Sequence, residues 1–260
     1  MTTPQVMVLR APGINCELET YHAYELAGAT CELTPLKRLL ARPGELDRFS
    51  ILAFPGGFSY GDDLGAGTVL AHELRRRLGD PLLAFIERGG LILGICNGFQ
   101  VLARLGLLPR IGGGALRQQV GLAANLSNHY ECRWVRLGAL ASRCAFVDES
   151  WDLHLPAAHA EGRLVVAEDV RTQIDDGYRV FSYRDGHGDT TERYPANPNG
   201  SPGGTAALTD VTGRVLGMMP HPDRAYLPWH APDWRRAAAD RHPDGMVLFE
   251  AMVQLARAEG

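Results

Sequence analysis

Leu91-Ile92-Leu93-Gly94-Ile95-Cys96-Asn97-Gly98-Phe99-Gln100 begins as a continuous apolar run. It passes a cysteine set between two glycines and leaves as a helical pattern through Val101-Leu102-Ala103-Arg104-Leu105. A buried strand followed at once by a helix has to turn sharply, and the cysteine sits on that turn. Gly94 and Gly98 lack Cβ atoms, so the turn can close and neighbouring backbone can pack tightly, as in a nucleophile elbow with Cys in place of Ser. A thiol at a helix N-terminus also feels the positive end of the macrodipole, which favours the thiolate. A free cysteine is equally at home as a small buried hydrophobe. The stretch alone leaves both readings open.

Upstream of it, Gln5-Val6-Met7-Val8-Leu9, Cys31-Glu32-Leu33-Thr34-Pro35-Leu36 and Ser50-Ile51-Leu52-Ala53-Phe54 read as short strands. Between the first two, Asn15 is placed to cap a helix with Glu17 and Glu19 in its first turns. Leu18, Tyr21, Leu26 and Ala29 supply part of its apolar stripe, and Gly28 marks its end. Leu64 to Arg88 reads as largely helical, with a break near Gly79-Asp80-Pro81. Strands alternating with helices predict an α/β fold: a flavodoxin-like open, mostly parallel sheet with helices on both faces and right-handed crossovers. Ligands of such sheets sit beyond the carboxyl ends of the strands. Pro55-Gly56-Gly57 and Cys96 both lie at such ends, so they share a crevice if their strands are neighbours.

After Leu108-Pro109 the texture changes. Cys132–Leu137, Leu153–Leu155, Leu164–Val166 and Arg179–Tyr183 are short and strand-like, which predicts an antiparallel β extension in the second half. Gly204–Thr209 and Val215–Met219 flank Asp210-Val211-Thr212-Gly213 as a hairpin. Met246 to Ala258 has helical spacing and is expected to pack on the sheet. With no repeat and no long linker, residues 1–260 read as a single domain.

The 260 residues carry a net charge of -4, so nothing points to nucleic acid or a membrane surface. No apolar run approaches the ~20 residues that span a bilayer. The five cysteines, Cys16, Cys31, Cys96, Cys132 and Cys144, are an odd number without a close C-x-x-C pair. Free thiols in a reducing cytoplasm are the simplest account. No tetrahedral zinc pattern, P-loop or strand-linked G-x-G-x-x-G occurs, so no metal, ATP or dinucleotide site is expected on this chain.

A cysteine nucleophile needs a base, and the base needs an orienting acceptor. His221-Pro222-Asp223 follows the apolar run Leu216-Gly217-Met218-Met219-Pro220, again at a strand end. Asp223 can hold one ring nitrogen while the other faces Cys96. His242-Pro243-Asp244 repeats the tripeptide between polar segments and reads as a surface turn. Cys16 is the rival thiol, near a helix start but without paired glycines. For the oxyanion of acyl chemistry, Gly56-Gly57 and the Asn97 amide are candidate donors, although the glycines also suit an ordinary tight turn. Gln100, one helical turn beyond Cys96, can reach a small polar substrate or simply lie solvated on the helix. His154 and His159 fit no zinc spacing. His159-Ala160-Glu161-Gly162-Arg163 reads as a binding loop or a turn.

Assembled, these pieces resemble the class I (triad) glutamine amidotransferases, and within them the glutaminase components of phosphoribosylformylglycinamidine synthases. The matching stretches are Phe54-Pro55-Gly56-Gly57-Phe58-Ser59-Tyr60-Gly61-Asp62, Gly94–Gln100, Tyr194-Pro195-Ala196-Asn197-Pro198-Asn199-Gly200-Ser201 and Met219-Pro220-His221-Pro222-Asp223-Arg224. The resemblance implies Cys96 as nucleophile, His221 as general acid/base, Gly57 with Asn97 as the oxyanion hole, and Gln100 as a glutamine contact. It departs at Asp223, where the family usually carries Glu, so the shorter arm needs a tighter approach. It also implies ammonia delivery to a synthetase subunit or domain that holds ATP and Mg and converts formylglycinamide ribonucleotide to the amidine in purine biosynthesis. A small bridging subunit is an open addition. Two rivals stand: another Cys-His hydrolase, of peptidase or deglycase type, and a non-catalytic regulator that keeps the fold.

Overall fold

The continuous apolar runs become strands buried on both faces, as parallel sheets require. The computed structural model describes residues 2–236, 238 and 241–260. Strands β1 (Gln5–Arg10), β2 (Thr30–Pro35), β3 (Ile51–Phe54) and β4 (Leu91–Ile95) pair in parallel. The antiparallel extension holds β6 (Glu131–Ala139), β7 (Asp152–His159), β9 (Arg179–Arg184) and β10 (Thr205–Thr209). A further strand, β11 (Val215–Met218), forms a hairpin with β10 yet lies parallel to β4. The nine-stranded order is β2-β1-β3-β4-β11-β10-β9-β6-β7. A separate ribbon pairs β5 (Val120–Ala124) with β8 (Glu161–Val166).

Steps β1→β2 and β3→β4 run in opposite directions along the sheet. Right-handed crossovers therefore put helix α1 (Glu17–Leu26) and helix α3 (Thr68–Glu87) on opposite faces. A short α2 (Leu36–Ala41) follows β2, and α4 (Asn97–Leu105) follows β4 beside α3. The C-terminal α5 (Met246–Glu259) packs beside α1, where Tyr24 and Phe249 meet edge-to-face at 4.8 Å. Gly94 and Gly217 are register partners on β4 and β11. A Cβ on either would lie 2.5 Å from Leu102 or 2.2 Å from Phe99, so the pair clears the bed in which α4 rests.

Three local expectations fail, each for a physical reason. Helix α3 is continuous through Pro81. Its buried row Leu74, Leu78, Leu82 and Phe85 runs straight past the proline. A mid-helix proline costs about 3 kcal/mol, and several buried side chains at about 1.5–3 kcal/mol each outweigh it. Helix α1 is not capped by Asn15. Cys16 occupies the cap position without a side-chain cap bond, and Asn15 Oδ1 instead lies 3.3 Å from the Cys16 thiol. The stripe expected on α1 fails by half: Tyr21 and Ala29 pack partly buried against the core, but Leu18 and Leu26 are 54% and 60% exposed, while Thr20, Ala23 and Tyr24 are fully buried.

Candidate active site

β3, β4 and β11 are adjacent, so three strand ends open onto one rim. Cys96 takes the step out of β4 at φ 51°, ψ −104°. A left-handed residue with a side chain costs about 1–3 kcal/mol, and such strain collects at functional sites. The elbow is held from below, where Cys96 N–H donates to Met218 O on β11 at 2.7 Å. The thiol is 6% exposed at the N-terminus of α4 and donates to Ala158 O at 3.5 Å.

His221 leaves β11 through Met219-Pro220, and a 3-10 turn at Pro222–Arg224 folds Asp223 back onto it. His221 Nδ1 lies 3.1 Å from Asp223 Oδ1, so the shorter carboxylate arm does reach. Both side chains are buried. Burial opposes the imidazolium, but the Asp223 carboxylate, joined by Cys96 in its thiolate form, outweighs it and holds His221 well above the ordinary histidine range. His221 Nε2 makes no hydrogen bond among the described residues. The thiol is turned to Ala158 O, and of the two imidazole nitrogens only Nδ1 is paired. Such contacts often tighten only with substrate present.

The edge strand β7 links the two groups. His221 N–H donates to Pro156 O at 2.7 Å, and Cys96 Sγ rests on Ala158 O. Carbonyls two residues apart on a strand point the same way, about 6.6 Å apart. The sheet therefore curls until its last strand returns over the ends of β4 and β11. Nothing in the side chains of Pro156 or Ala158 announces this; only their backbone takes part.

Gly57 bridges to Ile14, with Phe58 N–H donating to Gly13 O and the Asn15 and Cys16 amides donating to Gly56 O. Among the described residues neither the Gly57 nor the Asn97 N–H donates a hydrogen bond. They are two unspent donors beside the elbow. The Asn97 side chain staples the following loop: its Oδ1 accepts from Ser59 N–H and its Nδ2 donates to Asp62 Oδ1 and Gln100 Oε1. Gln100 is buried, and its Nε2 donates to Glu161 O, so both ends of its amide are engaged within the chain.

Cys16 comes closer than its sequence setting suggests. Its sulfur, His221 and Asp223 offer donor atoms within 4.8 Å of one another. The cation held there is Arg224, whose Nη2 donates to Cys16 Sγ at 2.9 Å. Thr20, one turn along α1, donates its hydroxyl to Cys16 O at 2.9 Å, and the same oxygen lies 3.5 Å from Asp223 Oδ2. That contact explains why α1 buries Thr20 rather than Leu18. The second tripeptide, at His242, is a surface turn whose Asp244 accepts from His154 N–H. His154 itself faces Trp134 at 5.1 Å, apart from the thiol.

The stretch expected as a loop or turn at 159–163 is a strand junction: His159 ends β7, Glu161–Arg163 open β8, and only Ala160 bends between them, against the site and braced from behind. Ser201 Oγ accepts from Leu164 N–H at 2.9 Å, and Asn199 donates to the Tyr183 hydroxyl at 3.0 Å. The Tyr194–Ser201 stretch thus supports this junction through Leu164 and Tyr183. His159, 2% exposed, is pushed down to about 4, first by burial and then by the His221 charge, against a smaller pull from Glu131. This carries a sign for stability. Between pH 6.5 and 4 the unfolded chain binds the proton that the folded chain refuses, so His159 lowers stability as pH falls through that window. The full effect is about 3 kcal/mol at 1.36 kcal/mol per pKa unit. In urea titrations, His159→Phe should show a visibly shallower acid limb than the parent; parallel limbs would rule the effect out.

A thiol at a strained elbow, a carboxylate-held imidazole and free amides on one rim suit acyl transfer at sulfur. The chain belongs to the glutamine amidotransferases: the model of the CobB/CobQ-like glutamine amidotransferase domain matches residues 3–255. Within that class it is similar to phosphoribosylformylglycinamidine synthase subunit PurQ of Dehalococcoides mccartyi, 42% identical over 99% of both chains. The PurQ subunit of Methanococcus maripaludis strain C5 is also 42% identical, over 89% of this chain and 87% of its own. Among solved structures, a chain of PurLQS from Thermotoga maritima superposes with TM-score 0.73 at 30% identity, covering 97% of this chain and 99% of that one.

Proposed function

We propose that residues 1–260 form one glutaminase domain, the ammonia-producing component of a phosphoribosylformylglycinamidine synthase. The observation that supports this reading is that Cys96 and the Asp223-held His221 stand at the ends of adjacent strands, both held to the backbone of one edge strand. In the mechanism, the Cys96 thiolate attacks the side-chain amide carbon of glutamine. The oxyanion is held by the Gly57 and Asn97 amides. His221 donates its proton to the departing nitrogen, which leaves as ammonia, and a glutamyl thioester remains. His221 then takes a proton from water, the water adds to the thioester, and glutamate and the free thiol are released. Asp223 keeps the proton on Nδ1, so Nε2 is the nitrogen that trades it. Gln100 is already tied to Asn97 and Glu161. Its contact with glutamine would therefore require exchanging one of these partners.

The ammonia is consumed by a synthetase that binds ATP and Mg and acts on formylglycinamide ribonucleotide. The PurLQS structure of the relative supports an assembly with a synthetase and a small bridging subunit. A glutamine-analogue electrophile such as 6-diazo-5-oxonorleucine should add one adduct, mapped by mass spectrometry to the Cys96 peptide. The chain should also co-purify with a synthetase whose product formation runs on glutamine. A peptidase or deglycase would escape the analogue and need no synthetase, and either outcome would defeat this assignment.

A further inference from the structure

Asn125 decides which nitrogen of His159 carries the proton. Asn125 Nδ2 donates to the carbonyls of His129 and His159 at 2.9 and 2.8 Å. Its Oδ1 accepts from Gly162 N–H at 3.1 Å and lies 3.1 Å from His159 Nδ1. Flipping the amide would set an NH2 against the Gly162 N–H and an oxygen against two carbonyls, so the network fixes its orientation. Facing an acceptor, Nδ1 of His159 must be the protonated nitrogen. The ring is neutral at pH 7 because burial disfavours its charge. Nε2 is then a bare lone pair, buried and without a hydrogen-bond partner among the described residues. His221 Nε2 is covered and unpaired in the same way, so being covered belongs to the resting site as a whole. His159 directly follows Ala158, the residue whose carbonyl holds the thiol, and its ring feels the His221 charge.

We propose that His159 Nε2 accepts a hydrogen bond from the carboxamide N–H of glutamine bound at Cys96 and thereby selects the amide over the acid. This rests on the glutaminase reading above. A lone-pair acceptor attracts an N–H and repels a carboxylate oxygen, and glutamine differs from its product glutamate at that one group. The same lone pair suits the nitrogen as it departs, since ammonia keeps its N–H donors. No bond is made or broken at His159, so it sets specificity and leaves proton transfer to His221.

The test uses the full chain in complex with its synthetase. His159→Phe removes the acceptor, while His159→Gln offers a carbonyl oxygen in its place. KM for glutamine should rise about ten- to a hundredfold in His159→Phe, the range expected when a buried polar contact is lost. The inhibition constant of glutamate should stay level or fall, kcat should change less than KM, and His159→Gln should recover part of the KM. If KM and the glutamate constant rise together, amide selection is wrong. A second measurement does not depend on how the variants fold. In the Cys96→Ala chain with ring-15N histidine, the Nε2 signal should start in the unprotonated range and move with saturating glutamine but not with glutamate. A proton on Nε2 at rest, no movement with bound glutamine, or equal movement with both ligands overturns the proposal. The glutaminase reading fails on a different readout, namely no glutamine hydrolysis by the wild-type complex.

Discussion

Cys96→Ala abolishes synthesis driven by glutamine in the assembled complex and leaves synthesis driven by ammonium salts intact. The expected loss is on the order of 10⁴-fold or more, because removing one member of a cooperating set disables the covalent route as a whole. The ammonium arm survives because the substitution deletes one sulfur at an elbow whose backbone is held by Met218 O and by the body of α4. Loss of both arms would instead mean that Cys96 holds the structure together. Cys16→Ala is the necessary companion. Both thiols sit at helix N-termini near His221, but the Cys16 sulfur is already taken up by Arg224, and its helix carries no left-handed elbow. Cys16→Ala should therefore cost far less than Cys96→Ala. Should the analogue adduct land on Cys16, or the two variants rank the other way, the nucleophile has been misassigned.

The way these two thiols differ in legibility shows what a sequence carries. Cys96 stands out because its strand, turn and helix are contiguous, so periodicity and glycine placement converge within ten positions. His221 is legible for the same reason, as a polar triplet at the end of an apolar run. The adjacency of β4 and β11 is not legible, since the whole antiparallel extension lies between them in the chain. Cys16 looks ordinary locally because its partners Arg224 and His221 come from the far end of the sequence. Helix α1 misleads for a related reason. Its buried face follows from Thr20 meeting Asp223 and Tyr24 meeting Phe249, two tertiary contacts that outrank the hydrophobicity of Leu18 and Leu26. The return of β7 over the site leaves no trace in side chains, since only the carbonyls of Pro156 and Ala158 do the holding.

Gly98→Ala should damage the protein out of proportion to one methyl group. A Cβ at this position would lie 1.9 Å from the carbonyl oxygen of Phe54 and 2.7 Å from its carbonyl carbon, where ordinary contact begins at 3.4 Å. The obstacle is the backbone of β3, which is hydrogen-bonded on both sides in the middle of the parallel sheet and cannot rotate away like a side chain. The first turn of α4 must therefore lift by more than an ångström. It cannot lift freely, because Phe99 and Leu102 are seated in the bed cleared by Gly217 and Gly94. Overpacking of this kind costs about 1–3 kcal/mol, a large share of a typical stability of about 5–15 kcal/mol. The movement also carries Cys96 and the Asn97 amide with it, and a misplacement of about 1 Å in reacting groups costs on the order of 10² in rate. Purified Gly98→Ala should thus unfold at lower urea concentration and, at temperatures where it stays folded, hydrolyse glutamine roughly a hundredfold more slowly. Ammonia-driven synthesis by the complex should persist under the same conditions. Wild-type glutamine turnover in a stable Gly98→Ala chain would mean that the elbow tolerates displacement, and the close contact between α4 and β3 would then have no part in aiming the thiol.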